Sequence, residues 1–245
     1  MAVFFYAKGR NISTAKIKPI TIQKTKAPPI DDTKWYKQAF QNATKELKSL
    51  LKQTPLNIAA EQNKATSYNT IYTTAVSNKD FLIAGFAKEK LAQLEENDSN
   101  YIDAGNLFME KSTTTDDEEY KIYLLSKSKQ LYSKAVKINP NSIIANNSLA
   151  VSIIQLGQDP PMVGIGYIKK SLQIDSNDFG TNYLYGQMLL MSTQYEKAIK
   201  VYNKLVNLQP SNSGLYFTLS DIYGKTGDKE KSKEYLEKAK TLNNK

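Results

Sequence analysis

Residues 179 to 212 read FGTNYLYGQMLLMSTQYEKAIKVYNKLVNLQPSN, and this stretch decides the fold. Among its small residues, Gly186 and Ala198 each stand among large apolar residues at helical spacing. Two helices approach closely only where each presents a small side chain, with larger side chains filling the spaces on either side. The stretch therefore predicts a hairpin of two antiparallel helices that ends near Pro210.

The same arrangement recurs through the C-terminal part of the chain, where similar segments end near Pro140, Asn177 and Pro210. Aligning those segments places a small residue at both crossing positions of every unit. The predicted crossing pairs are Gly105 with Ser128, Ala150 with Gly164, Gly186 with Ala198, and Ser220 with Ser232. We therefore predict four hairpins, which span residues 98–142, 143–178, 179–212 and 213–245.

The order and spacing of Tyr185-Gly186, Leu189, Ala198, Tyr202 and Pro210 resemble the tetratricopeptide-repeat pattern of Leu-Gly, Tyr, Ala, Phe and Pro. This resemblance implies an all-α fold, a right-handed superhelical solenoid of helix-turn-helix hairpins, here preceded by extra N-terminal helices. It also implies a scaffold or adaptor that binds a peptide or a partner helix rather than an enzyme.

Two units depart from the regular length. The first carries extra residues between its helices around Ser112 to Glu119, and the second carries extra residues at Asp159 to Pro161. The acidic run from Asp116 to Glu119 suits either a cation site or the start of a helix, and we favour helix capping. Asp159 followed by two prolines similarly indicates a helix start, although a stiff loop there would also suit a contact point.

Upstream of the repeats, residues 31–97 are predicted to form helices. Apolar spacing indicates one amphipathic helix from about Asp31 to Gln53, a second from Pro55 to about Ser77, and a third from Phe81 to about Glu95. Residues 65–97 have the outline of a fifth, degenerate repeat. Tyr72 stands where that repeat would need a small residue, which argues against it.

In the family that the pattern resembles, the first helix of each hairpin lines a concave groove. That resemblance assigns the groove to Ile102, Asn106, Asn147, Val151, Tyr183, Gln187, Phe217 and Asp221. Apolar groups alternate there with amides and lysine is absent, which favours an apolar helix or an extended chain over a terminal carboxylate. The alternative for any one of these residues is an exposed position without a ligand or a misassigned core position.

The amino-acid composition excludes most kinds of catalytic site. The chain has no Cys and no His, so it lacks thiolate and imidazole metal ligands and the familiar nucleophile–base pairs. Arg10 is its single arginine, and no Gly-rich phosphate loop follows a predicted strand. We therefore predict no catalytic, cofactor-binding or metal-binding residues. The lack of cysteine fits any compartment, so the sequence does not indicate a localisation.

The net charge of +9 is concentrated at the N-terminus, because residues 1–30 hold six basic residues and no acidic one. We interpret this segment as an extended tail or linker. It supports an alternative function, binding to nucleic acid or to an anionic membrane surface, although nucleic acid is the less expected partner. The apolar run from Ala2 to Ala7 is too short to span a bilayer, and it is either the remnant of a membrane anchor or an untethered end.

Overall fold

The computed structural model describes residues 30–57 and 59–243, and within these ranges every regular element is helical. The helices are α1 (Asp32–Asn42), α2 (Lys45–Gln53), α3 (Ala65–Ser77), α4 (Phe81–Glu95), α5 (Asp98–Thr113), α6 (Glu118–Ile138), α7 (Ile143–Leu156), α8 (Pro161–Ile174), α9 (Phe179–Met191), α10 (Tyr195–Leu208), α11 (Ser213–Thr226) and α12 (Lys229–Asn243). One turn of 3-10 helix, Gln62–Lys64, precedes α3. The predicted class, all-α hairpins with extra helices ahead of them, is confirmed.

Residue contacts divide the described chain into a first unit, residues 30–167, and a second unit, residues 168–243. The first unit buries a continuous apolar core that runs from Trp35 in α1 to Ile153 in α7. The second has its own core, in which Tyr202 and Leu219 are fully buried. No helix in the described part of the chain is long and apolar enough to cross a membrane.

The structure corrects the first predicted helix, because residues 32–53 form two helices rather than one. Ala43 is extended, with ψ at 153°, so α1 stops there. The side chain of Thr44 accepts a hydrogen bond from the Leu47 amide at 3.3 Å and thereby starts α2. A threonine oxygen satisfies a free amide of the first turn, which makes a new helix start possible inside a continuous apolar pattern.

The predicted helix start at Pro55 is wrong, because α3 begins ten residues later at Ala65. Leu56 is buried in a turn instead, and the Tyr68 hydroxyl accepts a hydrogen bond from the Glu61 amide at 3.1 Å.

The third predicted helix is confirmed as α4. Asp80 caps it by accepting from the Ile83 amide at 3.2 Å. Helices α3 and α4 pack together, and a fifth repeat at 65–97 stays a prediction.

The extra residues of the first hairpin lengthen its helices instead of forming a long loop. Helix α5 has 16 residues and α6 has 21, and only residues 114–117 join them. Asp117 accepts from the Tyr120 amide at 3.0 Å, which confirms the capping interpretation of the acidic run. The predicted helix start after Asp159 is also confirmed, since α8 begins at Pro161. Asp159 forms an ion pair with Lys129.

At the predicted crossing positions the small residues lie close to the facing helix. The Ser128 hydroxyl donates to the Gly105 carbonyl at 3.1 Å, and Ser220 and Ser232 each donate to the carbonyl of the other at 2.7 and 2.9 Å. A Cβ atom added to Gly164 would lie 2.9 Å from the Ala150 carbonyl oxygen. One added to Gly186 would lie 2.9 Å from the ring of Tyr202. The small residues therefore let the helices approach.

Substituting Ala198 with leucine tests this packing in the second unit. Ala198 is fully buried, and an added branched side chain has no space to fill. We expect the free energy of unfolding to fall by about 1–3 kcal/mol, as is usual for overpacking. Urea titration followed by circular dichroism measures the change. Leucine at the exposed Lys200 of the same helix is the control. Equal stability of the Ala198 variant and that control would show that the helix register is wrong.

The predictions for the basic segment and for the apolar run from Ala2 to Ala7 concern residues outside the described ranges. They remain predictions from sequence.

Candidate functional site

The predicted groove residues lie on the first helix of each hairpin, two to a helix and four positions apart. In the first unit they are Ile102 and Asn106 on α5 and Asn147 and Val151 on α7; in the second unit they are Tyr183 and Gln187 on α9 and Phe217 and Asp221 on α11. A spacing of four places both members of a pair on the same side of their helix.

Capping side chains fix where three of these helices begin, and so fix which residues share a face. Asn97 accepts from the Asn100 amide at 2.8 Å at the start of α5. Ser142 accepts from the Ala145 amide at 3.2 Å at the start of α7, and Asp178 accepts from the Thr181 amide at 2.7 Å at the start of α9. Each cap satisfies an amide that has no partner within the helix.

In the first unit the predicted residues are not equally accessible. Ile102 is only 7% exposed and belongs to the core, so it presents little surface to a partner. Its assignment as a groove residue stays a prediction, and its apolar side chain packs in the core of the first unit. Asn106, Asn147 and Val151 are half-buried.

A buried tyrosine orients Asn106. The Tyr132 hydroxyl donates to the Asn106 Oδ1 atom at 2.9 Å, and Tyr132 itself is almost completely buried. Burial raises the pKa of Tyr132, so the phenol keeps its proton at neutral pH and acts as the donor. With its oxygen used in this way, the Asn106 amide group has its two N–H donors available.

In the second unit Tyr183 is held between two other rings. It stacks on Phe179 with centroids 6.2 Å apart and planes 15° apart, and it meets Tyr202 edge-on at 6.2 Å. Gln187 Nε2 donates to the Tyr202 hydroxyl oxygen at 2.7 Å. Burial raises the pKa of both tyrosines, so both remain neutral at physiological pH. Stacked rings of this kind lose little side-chain freedom when they bind a ligand.

The other two residues of the second unit are open to solvent. Phe217 is 38% exposed, which is unusual for a phenylalanine in a helix with a buried face. One helical turn further along α11, Asp221 is exposed, and its carboxylate pairs with Lys225 Nζ at 2.6 Å. An apolar ring therefore stands beside an acidic group in the second unit.

Sequence reasoning missed a contact that recurs at the start of three first helices. Asn146 Nδ2 donates to the Pro140 carbonyl at 2.9 Å, Asn182 Nδ2 to the Ser176 carbonyl at 2.8 Å, and the Tyr216 hydroxyl to the Pro210 carbonyl at 2.9 Å. Each donor stands six residues after its acceptor, so a search for polar residues at that spacing would have found it. The contact fixes the turn between hairpins.

In the described ranges no three acidic side chains come together as a metal site would require. The geometry that remains is half-buried amides and aromatic rings, which suits the binding of another chain.

Comparisons with known proteins find tetratricopeptide repeats in the C-terminal part of the chain. The family model for the tetratricopeptide repeat matches residues 180–212 and 213–245. The chain is 34% identical to the small glutamine-rich tetratricopeptide repeat-containing protein 2 of Mycosarcoma maydis over 87 residues, which are 35% of this chain and 24% of that protein. It is 29% identical to the BBSome complex member BBS4 of Bos taurus over 118 residues, 47% of this chain and 22% of that protein. The chain thus spans less than a quarter of either relative.

Solved structures show the same fold at low identity. A MamA fragment from Desulfovibrio magneticus RS-1 superposes with a TM-score of 0.61 and 17% identity, covering 76% of this chain and 98% of that one. YrrB, described as a TPR protein with an unusual peptide-binding site, gives a TM-score of 0.54 and 16% identity, covering 82% and 93%.

Proposed function

We propose that this chain is a non-catalytic scaffold whose first helices bind a partner helix or an extended peptide, since residues 180–212 and 213–245 match the tetratricopeptide-repeat family model. Arrays of helical hairpins present long surfaces to other proteins, and a peptide-binding site is described for the structural neighbour YrrB. The observation that supports the proposal most directly is the presence of exposed Phe217 and ring-stacked Tyr183 on first helices of the second unit.

The partner that these residues suit is an apolar segment. Aromatic side chains fixed by neighbouring rings act as anchors, and an amide such as that of Gln187 in the same unit hydrogen-bonds a peptide backbone. A terminal carboxylate would need cations to replace its hydration, yet the second-unit residues offer the acidic Asp221. We therefore expect no preference for a free C-terminus.

Replacing Phe217 with alanine is expected to weaken peptide binding by about 2 kcal/mol, or roughly thirtyfold, because buried aromatic anchors carry much of the binding energy. The probes are peptides selected from a random library against the immobilised wild-type chain. Each is synthesised with a free and with an amidated C-terminus and titrated by calorimetry.

Leu208 provides a matched control, since it is also 38% exposed and lies in the same unit but on the second helix of its hairpin. Its change to alanine should leave the affinity unchanged. Tighter binding of the free acids, or equal loss in both variants, would contradict the proposed site.

The alternative function rests on the charge of residues 1–30. If that segment binds nucleic acid or anionic lipid, the affinity should fall steeply with salt, because lysines displace condensed counterions. Binding of DNA, RNA and phosphatidylserine vesicles by the whole chain and by residues 31–245 measures this. We expect any such binding to disappear with the segment. Salt-insensitive nucleic-acid binding by residues 31–245 would show that the charge of residues 1–30 does not account for it, and it would favour a nucleic-acid-binding function of the helices over the scaffold.

A further inference from the structure

Helix α1 lies outside the predicted repeats and packs against several aromatic side chains of the first unit. The Trp35 ring stacks on Tyr120 with centroids 4.3 Å apart, and Tyr36 meets Phe86 edge-on at 5.8 Å. Both α1 side chains are buried, whereas most other α1 residues are exposed. The helix is therefore attached through one narrow apolar face, as an amphipathic helix is when it binds in a groove.

A buried lysine completes this surface. Lys127 Nζ lies 2.5 Å from Asp32 Oδ2 of α1 and 2.8 Å from Glu89 Oε2 of α4, and the Tyr123 hydroxyl donates to Asp32 Oδ1 at 2.8 Å. The Lys127 side chain is 2% exposed, but that of Asp32 is 41% exposed. Glu89 keeps Lys127 paired when Asp32 leaves, so the surface can lose α1 without leaving an isolated buried charge.

Helix α1 is a helix distinct from α2, and the Tyr36 hydroxyl accepts a hydrogen bond from the Leu56 amide at 3.4 Å. The extended Ala43 follows it, and α2 begins with a cap of its own at Thr44. The hairpin of α5 and α6 buries Phe108, Leu131 and Tyr132, none of which belongs to α1 or depends on its cap. A helix of 11 residues has little stability by itself in water, so α1 gains its order from the surface that it covers.

We propose that Phe86, Tyr120, Tyr123 and Lys127 form a helix-binding site, the α1-docking surface, and that α1 is its ligand, which undocks and rebinds as a unit while α4 to α6 stay folded. The recognised features are an acidic residue at Asp32 and aromatic residues three and four positions later. This surface consists of residues other than those proposed to bind a partner on the first helices, and the inference does not depend on that function.

The test uses the full chain with Asp32→Asn and Trp35→Ala, which weakens the resident helix. The probe is a fluorescein-labelled peptide of residues 30–43, IDDTKWYKQAFQNA, and the readout is fluorescence anisotropy. We expect this variant to bind the peptide. The affinity of the wild-type chain for the peptide should be lower by a factor of at least about ten, because its own α1 competes at an effective concentration on the order of millimolar. Trp35 is the only tryptophan, so the variant chain has no tryptophan fluorescence of its own. The tryptophan emission of the unlabelled peptide should therefore shift to the blue when the peptide binds to the variant.

A peptide with Asp32→Asn is the matched control, and its affinity for the variant chain should be about tenfold lower because it lacks the carboxylate that faces Lys127. Phe217→Ala in the variant chain should leave peptide binding unchanged. Three results would overturn the proposal: global unfolding of the variant chain in circular dichroism, no binding of the peptide, or equal binding of the two peptides. Equal binding by the wild-type and variant chains would overturn it as well.

Discussion

Replacing Lys127 with methionine is expected to lower the free energy of unfolding by about 3–5 kcal/mol, because it leaves a buried carboxylate without its partner. Glu89 is 6% exposed at its side chain, and its remaining ion-pair partner, Lys134, is 3.7 Å away with a side chain that is 37% exposed. Methionine has a similar length and shape, so the change removes the charge without opening a large cavity. Urea unfolding at neutral pH measures the loss.

The partner substitution separates the charge from the packing. Glu89→Leu should cost less than Lys127→Met, since Lys127 keeps the Asp32 carboxylate at 2.5 Å. The double variant should be more stable than Lys127→Met alone, because no unpaired charge is left inside and Asp32 can be hydrated. A purely additive result would mean that the two side chains are not coupled.

A surface pair serves as the control for this cycle. Lys238 and Glu234 are 2.6 Å apart on α12, and both side chains are more than half exposed. Exposed pairs contribute little, so Lys238→Met should leave the stability within the error of the measurement. If Lys127→Met behaves in the same way, the buried network does not stabilise the first unit.

The hairpins could be predicted from sequence because their physical requirement is local and visible. A close helix crossing needs a small residue on each side, and those residues are seen at Gly105 and Ser128 as directly as at Ser220 and Ser232. Helix α4 was predictable for a similar reason, since Asp80 both ends the preceding turn and caps the next helix. Such signals lie within a few residues of the structure that they determine.

The remaining features depend on contacts between residues far apart in the chain. Lys127 looks like any solvated lysine in a helix, and only the packing of α1 and α4 around it shows that it is buried. The break at Ala43 was hidden because the apolar spacing continues across it from Trp35 to Leu51. The extra length of α5 and α6 was not predicted, because the Ser and Thr residues at the end of α5 have the composition of a loop.

The groove assignment stays a prediction, and the accessibility of its residues could not be read from the sequence. Periodicity places Ile102 and Phe217 at equivalent positions, yet one is buried and the other is 38% exposed. Exposure depends on the neighbouring helices, which differ between hairpins. The orientation of the Asn106 side chain could not be predicted either, because it is set by the hydroxyl of Tyr132, 26 residues away.

Replacing Tyr202 with alanine is expected to lower the free energy of unfolding of the second unit by about 3–5 kcal/mol, the usual cost of removing a fully buried ring. The ring fills the space that Gly186 leaves open and supports Tyr183 edge-on, so the loss creates a cavity that helices α9 and α10 cannot close without shifting. Circular dichroism during urea unfolding measures the change.

Tyr202→Phe is the matched control, because it keeps the ring and removes only the hydroxyl that accepts from Gln187. It should cost only about 0.5–1.5 kcal/mol, the net contribution of one hydrogen bond. The same pair of variants connects packing to function, since Gln187 without that hydroxyl loses one of the contacts of its amide. If the binding of library-selected peptides falls in Tyr202→Phe while the fold is retained, the ring and the hydroxyl have separate roles. Comparable stability of the alanine and phenylalanine variants would show that the second unit is not packed around this ring.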